Sequence, residues 1–584
     1  MGAMTRSGKE WTLAEENTKA TQLIGDALGL DPILSRLLVN RGVSTPEEAE
    51  RFLNPRLDSI SSPFDIPSMD LAANRVALAQ ERGEKVAVYG DFDVDGLTAA
   101  ATLSRFLLES GIDTQAVASR RQAQTRGLTP EEIDQMKNDG CALVITVDTG
   151  SSAVAAAHRA GEVGLDLVIT DHHLPSGQRP QALAEVNPHF CEKDAPGRDL
   201  SGVGVAFKLA MAARKTMRND SAPQDQPNLK RLMGLVALGT VADCSPLVGE
   251  NRTLVRHGLD ELSNNGVALP GLEALKQVCR LNGRAVTSRD ISFDLAPRLN
   301  SASRMNNVQT ALDLLTTTDP RLATRLAATL DADNNKRKLI QNQILEEARA
   351  MTEKLTERET GAALVLRGEE WNPGVIGIVA SRLVDLWNVP VVMVSFSGGM
   401  GKGSCRSTPA FDMHSALLQT GDTLDRFGGH KGAAGLYVSE GNFELFKEKF
   451  LQVARTAMES TTYGPRLLVD MLLNPDALPE ETVRRMTLLE PFGDSMEPPL
   501  FMGKGLRLLA PPEFMGDEGR SVRFSVAGVG GPVQAVAFGM GDYFREFDWK
   551  NQEVDLAYTP EINRWGSMER LQLRVVDIRR PSGR

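Results

Sequence analysis

The chain has 584 residues, of which 41% are hydrophobic and 24% charged, and it carries a net charge of −11 at pH 7. This length suffices for about three to five domains, and no stretch approaches the ~20 apolar residues that span a membrane as a helix. The five cysteines are scattered and never spaced as C-x-x-C, which excludes a disulfide framework and a zinc ribbon and favours a reducing cytoplasm.

The first part of the chain is predicted to contain a helical segment followed by an α/β domain. Residues 1–75 form the polar, mainly helical segment, and residues 76–325 form the domain. Apolar strands are predicted at 85–90, 142–148 and 165–170, with helices at 97–110 and 151–162. Nearly continuous apolar strands that alternate with helices predict a doubly wound, mostly parallel sheet covered on both faces. Residues 231–241 read as a buried helix or strand that ends at Asp243.

The second part begins with a long, highly charged stretch that lacks helix breakers. We interpret residues 326–358 as a connecting helix. A second α/β domain is predicted over 359–462, with strands at 362–366 and 389–394 and two glycine-rich loops at 401–407 and 428–435. Residues 463–584 contain short strands separated by turns, which is typical of a small β-barrel.

Acidic and imidazole side chains follow the predicted strands of the first α/β domain. Asp91 and Asp93 come after the first strand, Asp148 ends the second, and His172 and His173 follow the third. Because the carboxyl ends of parallel strands meet at one edge of a sheet, these side chains are expected to share a crevice.

Simpler explanations account for single members of this set. The run Asp91–Gly96 resembles an EF-hand loop, but the required bidentate glutamate at loop position twelve is Thr102, and a strand rather than a helix precedes it. Helix N-capping explains one of the aspartates, and for Asp148 taken alone it is the favoured interpretation. The two adjacent histidines could be exposed loop residues. None of these explanations covers all three strand ends.

The combination favours a divalent metal site. Several carboxylates and one or two imidazoles suit Mg²⁺ or Mn²⁺, and the imidazole favours Mn²⁺. Asp243 follows an apolar segment and is therefore predicted to be buried. A buried carboxylate without a partner would lower the stability of the fold, and metal coordination would remove that cost. Two such ions about 3.5–4 Å apart can activate water and stabilise both oxygens of an in-line displacement at phosphorus.

The two glycine-rich segments of the second α/β domain carry cations and a hydroxyl. Ser404 and Arg406 lie in the first, and His430 and Lys431 in the second. Neither is a P-loop, because Gly401-Lys402 is followed by Gly403 rather than Ser or Thr. They could be plain tight turns, but exposed backbone N–H groups beside cations also suit a phosphodiester.

At this point the chain resembles the DHH/DHHA1 phosphoesterase superfamily. The resemblance rests on Asp171-His172-His173, on Gly90–Gly96 and on Gly428–Gly435. The runs at 201–206, 297–304 and 371–377 are similar to its branch of bacterial single-strand-specific 5′→3′ DNA exonucleases. The match spans roughly residues 20–584. It implies a DHH domain, a long connecting helix, a DHHA1 domain and a C-terminal OB-fold-like barrel.

The resemblance also implies roles for individual residues. The metal ligands for two Mn²⁺ or Mg²⁺ ions would be Asp91, Asp93, Asp148, His172 and Asp243, with Asp148 bridging. The scissile phosphate would be held by His173 and by Arg298 or Arg304, with Arg304 favoured. The terminal 5′-phosphate would be held by Ser404 and Arg406 together with Arg120 or Arg121.

Two positions depart from the pattern that the resemblance implies. Some relatives place a further histidine ligand two residues before the first aspartate, where this chain has Tyr89. Residues 125–127 read Thr-Arg-Gly where many relatives read Gly-Tyr-Gly, which affects the lining of the strand path.

The function that the sequence favours is an exonuclease on single-stranded DNA, acting in DNA repair, mismatch repair and recombination. Expected partners are a single-strand binding protein and a RecQ-type helicase; we expect a cytoplasmic monomer without membrane contact. The net negative charge does not oppose DNA binding, because local basic tracks matter more than the total. A phosphodiesterase for short oligonucleotides or small phosphorylated substrates remains an alternative, although it would not need residues 463–584. A non-catalytic DNA-binding scaffold is opposed by the intact carboxylate and histidine set.

Overall fold

The computed structural model describes residues 8–119, 127–175, 177–217, 226–264, 269–355, 361–459, 466–545, 549, 553–565 and 568–580. The chain forms two compact units. The larger unit comprises Arg56–Thr456 and Pro491–Met496, and the smaller unit comprises Met1–Pro55, Ala457–Glu490 and Glu497–Arg584. In the described ranges, no helix has the length and apolar character that crossing a membrane requires.

The N-terminal segment is mainly helical, as predicted, but it begins with a strand. Its elements are β1 (Glu10–Leu13), α1 (Thr18–Leu28), α2 (Pro32–Asn40) and α3 (Pro46–Leu53). Each helix starts at a polar N-cap, Asn17, Asp31 or Thr45, whose side chain accepts a backbone N–H group of the first turn.

A five-stranded parallel sheet forms the centre of the first α/β domain. Its strands are β2 (Lys85–Gly90), β3 (Thr114–Ala118), β4 (Cys141–Val147), β5 (Asp166–Thr170) and β6 (Ala184–Val186). They are ordered β3-β2-β4-β5-β6, and every neighbouring pair is parallel. The doubly wound fold predicted from the sequence is confirmed, although β3 and β6 were not predicted. In this order the winding direction reverses between β2 and β4, which is where ligands of such sheets bind.

The first α/β domain also contains a series of helices. They are α4 (Met69–Arg82), α5 (Val94–Glu109), α6 (Pro130–Asn138), α7 (Val154–Glu162), α8 (Gly202–Thr216), α9 (Met233–Ala242), α10 (Gly249–Ser263), α11 (Pro270–Val278), α12 (Ser288–Asp290), α13 (Ala296–Arg304) and α14 (Val308–Thr316). A π-helical turn, Ile291–Leu295, joins α12 to α13. The segment that ends at Asp243 is therefore a helix.

The N-cap interpretation is right for Asp93 and wrong for Asp148. The Asp93 side chain caps α5 by accepting the Gly96 N–H group at 3.2 Å. Helix α7 begins only at Val154 with Ala153 at its N-cap, so the predicted start at 151 is wrong and Asp148 caps nothing. Asp148 adopts left-handed backbone geometry with φ of 60°, which directs the chain out of β4 before the helix can begin.

The connecting helix and the second sheet complete the larger unit. Helix α15 (Pro320–Thr352) leads into β7 (Leu364–Glu369), α16 (Ile376–Trp387), β8 (Val391–Ser397), β9 (Met400–Arg406), α17 (Met413–Gln419), β10 (Arg426–Gly429), β11 (Ala433–Ser439) and α18 (Phe443–Glu459). The sheet order is β10-β11-β9-β8-β7. The glycine-rich segment at 401–407 was predicted to be a loop, which is wrong, because most of it is β9, paired on both sides. The segment at 428–435 is the tight β10–β11 hairpin.

The smaller unit contains a seven-stranded, mostly antiparallel sheet. Its elements are β12 (Arg466–Val469), β13 (Met471–Leu472), α19 (Glu480–Arg485), β14 (Phe501–Leu506), β15 (Glu513–Met515), β16 (Ser521–Gly528), β17 (Gly531–Ala537), α20 (Gly541–Arg545), β18 (Val554–Trp565) and β19 (Met568–Arg579). The order is β13-β14-β18-β19-β17-β16-β15. A mostly antiparallel sheet agrees with the predicted OB-fold-like domain, although β18 and β19, with 12 residues each, are longer than the short strands predicted.

The N-terminal strand is built into this smaller unit. β1 pairs in parallel with β12, and the buried Trp11 ring packs in a small apolar cluster with Val469 and Met502. Its indole Nε1 donates to Asp577 Oδ2 at 2.9 Å, and the Arg579 guanidinium lies 4.5 Å from the ring centre. Because the two ends of the chain share one core, the C-terminal sheet depends on residues 10–13 for stability.

We predict that Trp11→Ala lowers the free energy of unfolding of the smaller unit by about 3 kcal/mol, since it empties an aromatic core position and removes the indole hydrogen bond to Asp577. Leu13→Ala, at a half-exposed position of the same strand, should change it by less than about 0.5 kcal/mol. Hydrogen exchange of the β19 amides in the two variants measures the difference. Equal protection in both would contradict this role of Trp11.

Candidate metal centre

The structure brings the strand-end side chains together at the carboxyl edge of the first sheet. Asp91 and Asp93 follow the end of β2, Asp148 follows the end of β4, and His172 and His173 follow the end of β5. Potential ligand atoms within 4.8 Å of one another form three overlapping groups: Asp91, Asp93 and Asp148; Asp148, His172 and His173; and Asp95, His172 and Asp243. The crevice at the winding reversal between β2 and β4 thus collects every metal-ligand candidate of the sequence.

Two atoms in the middle of the cluster lack hydrogen-bond partners among the described residues. They are Asp148 Oδ1 and His172 Nε2, both buried and 3.1 Å apart. An unpaired buried oxygen and an unpaired buried ring nitrogen are each costly. A cation between or beside them would satisfy both, so the residues present fit a divalent metal.

Burial and mutual repulsion raise the pKa of several of these carboxyls. The pKa of Asp148 lies well above its usual value, mainly because the group is buried and secondarily because Asp95 and Asp93 are close. The pKa of Asp93 is raised to about 6 by burial and by Asp91. Burial lowers the pKa of His172, which favours the neutral imidazole that binds metals. The carboxylates of the cluster therefore require a nearby positive charge to remain ionised at neutral pH.

Asp171 organises the two histidines instead of facing the cluster. Its Oδ1 accepts the backbone N–H groups of His172 and His173 and lies 2.8 Å from His173 Nδ1, and its Oδ2 accepts the Ser151 N–H group at 2.9 Å. Burial alone would raise the pKa of Asp171, but these bonds outweigh it and lower the pKa. The same contact raises the pKa of His173 to about 9.

The carboxylates of Asp91 and Asp243 each accept a hydrogen bond from a serine hydroxyl. Ser119 Oγ, at the end of β3, donates to Asp91 Oδ1 at 2.8 Å. Ser245 Oγ donates to Asp243 Oδ2 at 2.5 Å. The serine hydroxyl fixes the orientation of each carboxylate, whose other oxygen remains available to bind a metal ion.

Sequence reasoning missed Asp95, which is fully buried in the same crevice. Its two oxygens accept the N–H groups of Gly202 at 2.7 Å and Val203 at 2.9 Å, at the start of α8. Its Oδ2 also lies 3.8 Å from His172 Nε2. The signal was present as the third aspartate of the Asp-x-Asp-x-Asp-Gly run, which was predicted to lie in the turn before a helix at 97–110, whereas α5 already begins at Val94.

Glycines leave room for this packing. A Cβ at Gly202 would lie 2.5 Å from Asp148 Cβ and Oδ1, and one at Gly239 would lie 2.2 Å from Thr98 Oγ1 and 2.8 Å from Asp95 Oδ1. A Cβ at Gly96 would lie 2.5 Å from the Asp91 backbone. Glycine at these positions lets the backbone approach the acidic groups closely.

Tyr89, two residues before Asp91, packs in an apolar core cluster with residues of β4 and β5. Its hydroxyl donates to Glu132 Oε2 at 2.9 Å, and Glu132 also belongs to the capping box of α6. Burial, with Glu132 and Asp91 nearby, raises the pKa of Tyr89 above its usual value. The tyrosine is a neutral hydrogen-bond donor and supplies no ligand atom there.

The two arginines of α13 have different surroundings. Arg298 Nε donates to Asp331 Oδ1 at 2.8 Å and its Nη1 to the Asp294 carbonyl at 2.7 Å, which holds it against the connecting helix. Arg304, at the C-terminal end of α13, donates from Nη1 to the Gly374 carbonyl at 3.2 Å. Gly374 lies two residues before the first residue of α16, so Arg304 joins the two α/β domains near the start of that helix.

Ser404 and Arg406 also lie beside the start of α16. Arg406 Nη1 is 3.3 Å from Ser404 Oγ and donates to the Cys405 carbonyl at 2.8 Å. A Cβ at Gly377, in the first turn of α16, would lie 2.8 Å from Ser404 Oγ and 3.0 Å from Arg406 Nη2. Burial lowers the pKa of Arg406. A half-buried guanidinium, a hydroxyl and a helix N-terminus therefore converge.

Of the remaining residues predicted to contact the substrate, two are exposed and two lie outside the residues that the structure describes. His430 and Lys431 form the exposed tip of the β10–β11 hairpin, where His430 N donates to the Ala433 carbonyl at 2.8 Å. Arg120 and Arg121 lie outside the described residues, as do Thr125 and Arg126.

Three family models match the chain in the order of its domains. The DHH family, N-terminal domain, matches residues 85–240. The DHHA1 domain matches residues 360–456, and the RecJ OB domain matches residues 469–577. The fold predicted from the sequence is thereby confirmed.

Individual relatives match over almost the whole chain. The RecJ proteins of Salmonella typhimurium and Escherichia coli, each named single-stranded-DNA-specific exonuclease, are 34% identical over 94% of this chain and 96% of their own. The crystal structure of Thermus thermophilus RecJ with Mn²⁺ superposes with a TM-score of 0.82 at 29% identity, over 98% of this chain and 80% of that one. The chain therefore belongs to the RecJ family of single-stranded-DNA-specific exonucleases.

Proposed function

We propose that this chain is a metal-dependent exonuclease that hydrolyses single-stranded DNA from its 5′ end and releases 5′-mononucleotides. The observation that carries the proposal is the buried carboxylate–histidine cluster with unpaired Asp148 Oδ1 and His172 Nε2 at the winding reversal of a parallel sheet. Such a cluster suits two hard divalent ions.

In this proposal the ions are Mn²⁺ or Mg²⁺, held by five side chains: Asp91, Asp93, Asp148, His172 and Asp243. Asp148 belongs to two of the three ligand groups and lies between Asp91 and His172, which suits a bridging carboxylate. When bound, the ions would lower the pKa of an attacking water and stabilise the charge that develops at phosphorus. Asp95 serves as an anchor for α8, because both of its oxygens already accept backbone N–H groups.

His173 and Arg304 hold the scissile phosphate. The bond to Asp171 raises the pKa of His173 to about 9, which favours the protonated imidazole, and His173 lies within 4.8 Å of ligand atoms of Asp148 and His172. Arg304 is favoured over Arg298, because the guanidinium of Arg298 is bound to Asp331. A cation on either side of the phosphate neutralises its oxygens and orients it for in-line attack.

Ser404 and Arg406 bind the terminal 5′-phosphate. The pocket combines the guanidinium, the hydroxyl and the first turn of α16, and Arg120 or Arg121 completes it in our proposal. His430 and Lys431 contact the DNA from the exposed hairpin tip. A pocket that accepts a phosphate monoester sets the polarity of digestion, because only a chain end carries that group.

The division of labour follows the predicted domain boundaries. Residues 76–325 carry the chemistry, 326–358 connect, 359–462 bind the strand end, and 463–584 with the N-terminal segment 1–75 hold the rest of the single strand. We propose that the protein acts as a monomer in the cytoplasm; the five free cysteines support a reducing compartment. A single-strand binding protein and a RecQ-type helicase are proposed as partners in DNA repair and recombination.

One assay tests the proposed activity. Single-stranded DNA labelled at its 5′ or 3′ end, the matching duplex and an RNA of the same sequence are each incubated with Mn²⁺ or Mg²⁺. We expect immediate release of labelled mononucleotide from the 5′-labelled single strand alone, and progressive shortening of the 3′-labelled one. A dinucleotide is assayed beside them, and its preferred hydrolysis over long single strands would favour a small-substrate phosphodiesterase instead.

Asp93→Ala and His172→Ala are each expected to reduce Mn²⁺-dependent mononucleotide release by at least about a thousandfold, since each removes a ligand of the proposed centre. His158→Ala is the matched control, because His158 is largely exposed and pairs with Glu162 on α7. Circular dichroism and the unfolding midpoint show whether each variant is folded. A folded His172→Ala protein with full activity would refute the ligand assignment.

Arg406→Ala is expected to abolish most of the rate advantage of 5′-phosphorylated over 5′-hydroxyl single strands, because the guanidinium contacts only the terminal phosphate. The two substrates compared in one preparation serve as each other's control, and kcat/KM is the quantity measured. If both ends slowed by the same factor, Arg406 would have a role other than end recognition.

Gly202→Ala is expected to weaken Mn²⁺ binding by about ten- to a hundredfold, since its methyl group would displace Asp148. The control is Gly161→Ala on α7, where a Cβ meets no described atom within 4 Å. Titration calorimetry of both variants with Mn²⁺ measures the affinity. Unchanged affinity in folded Gly202→Ala would show that Asp148 tolerates displacement and is not a central ligand.

A further inference from the structure

Asn187 is a fully buried amide that immediately follows the edge strand β6. Its Nδ2 group donates to the His173 carbonyl at 3.0 Å and to Ser151 Oγ at 3.1 Å. Its Oδ1 accepts the His189 N–H group at 2.9 Å. These partners lie in the segments that follow β5, β4 and β6, so one side chain connects the ends of three neighbouring strands.

The surrounding backbone holds Asn187 in a fixed place beside the metal centre. The hydrogen bonds between β5 and β6 continue up to it, since the Asp171 N–H group donates to the Val186 carbonyl at 3.1 Å. On the other side, Arg198 Nη1 donates to the His189 carbonyl at 3.2 Å. A side chain with rigid support of this kind can set the geometry of the groups that it binds.

Asn187 and Asp171 bind the same two residues at different atoms. Asp171 Oδ2 accepts the Ser151 N–H group, while Asn187 binds the Ser151 hydroxyl. Asp171 Oδ1 lies 2.8 Å from His173 Nδ1, while Asn187 binds the His173 carbonyl. Together the two side chains fix the turn after β4, which carries Asp148, against the turn after β5.

The His173 ring depends on such support more than the His172 ring does. The side chain of His173 is 58% exposed, whereas that of His172 is 16% exposed. Close packing orients a buried ring, but it contributes less to the orientation of an exposed one. The direction of the His173 ring therefore depends on its bond to Asp171 and on a fixed backbone, whose carbonyl Asn187 binds.

The competing explanation is that Asn187 only caps the short 3₁₀ turn Pro188–Phe190. Its Oδ1 accepts the N–H group of the second residue of that turn, and Asp, Ser or Thr could do the same. A carboxylate has no hydrogen to donate, however, and a hydroxyl has one. Capping therefore explains Oδ1, whereas the two bonds from Nδ2 require a group with two donor hydrogens.

We propose that Asn187 is a positioning residue that holds His173 in the orientation for binding the scissile phosphate. By fixing the His173 carbonyl, its amide sets the direction from which the imidazole meets both Asp171 and the substrate. The assignment rests on the proposed function, in which His173 contacts the phosphate. Asn187 acts through His173 and does not itself contact the reacting atoms.

The first test observes the hydrogen bond between His173 Nδ1 and Asp171 by NMR of ¹⁵N-histidine-labelled protein loaded with Mg²⁺. An ionised carboxylate can only accept, so Nδ1 carries the proton, and we expect a far-downfield ring proton that His173→Ala removes. Asn187→Ala should shift or abolish this resonance, because the ring loses its fixed direction. An unchanged resonance in folded Asn187→Ala would overturn the proposal.

Asn251→Ala is the matched control for the loss of a buried amide. Asn251 is 2% exposed and donates from Nδ2 to the Asp199 and Pro246 carbonyls, which lie outside the turns that hold Ser151 and His173. This variant should lower the unfolding midpoint to a similar degree and leave the His173 resonance in place. Loss of the resonance in both variants would indicate a general loss of structure and refute a specific role of Asn187.

The second test separates the bond to His173 from the cap. Asn187→Asp keeps an oxygen for the His189 N–H group but replaces the amide donors with an oxygen that faces the His173 carbonyl. We expect this variant to lower kcat for single-strand digestion by about ten- to a hundredfold, as Asn187→Ala does. Full activity of folded Asn187→Asp would show that capping alone is required.

The third test is a double-mutant cycle between Asn187 and His173, measured as kcat with Mn²⁺. If Asn187 acts through His173, Asn187→Ala should cost less than about twofold once His173→Ala is present, although it costs about ten- to a hundredfold in the parent. A purely structural role would slow both backgrounds by the same factor, as expected for Asn251→Ala. Equal losses from Asn187→Ala in the two backgrounds would contradict the proposal even if Asn187→Asp had unfolded.

The parent protein is assayed in parallel for mononucleotide release. If it digests single strands and the cycle shows equal losses, only the role of Asn187 is refuted. If the parent shows no metal-dependent digestion, the proposed function itself has failed, and the His173 resonance still decides whether Asn187 orients the ring.

Discussion

The burial of several carboxylates at one edge of the first sheet is the constraint on which the rest of the molecule depends. Asp95 and Asp148 are almost completely inaccessible to solvent, and Asp148 Oδ1 has no hydrogen-bond partner among the described residues. Like charges gathered in this way oppose folding by several kcal/mol unless cations or protons neutralise them. Divalent metal ions bound in the crevice would relieve the repulsion and satisfy the unpaired atoms of Asp148 and His172 together.

Several features of the fold follow from that constraint. The strand order places the ends of β2 and β4 side by side, so two acidic turns meet without a long loop. Glycine at 202 allows the start of α8 to approach Asp148, and the N–H groups of that helix bind Asp95. The two serines at 119 and 245 fix the outer carboxylates. The net charge of −11 is thus compatible with a nucleic-acid substrate, because part of the negative charge belongs to the metal centre.

The sequence alone predicted the parallel sheet and the convergence at its edge, because apolar runs ending in Asp or His carry both signals. It could not identify Asp95, whose bonds to Gly202 and Val203 join residues more than a hundred positions apart. The prediction of a loop at 401–407 failed for a related reason. Gly401 and Gly403 resemble turn residues in one dimension, whereas in the sheet they make room for Val394 and Leu436.

The metal centre itself can be tested most directly by anomalous diffraction from crystals of the protein soaked in Mn²⁺. We predict two anomalous peaks in the crevice at the ends of β2, β4 and β5, about 3.5–4 Å apart, with Asp148 between them and His172 bound to one. A crevice without a peak at saturating Mn²⁺, with Asp148 and His172 still unpaired, would contradict the assignment of this cluster as the catalytic centre.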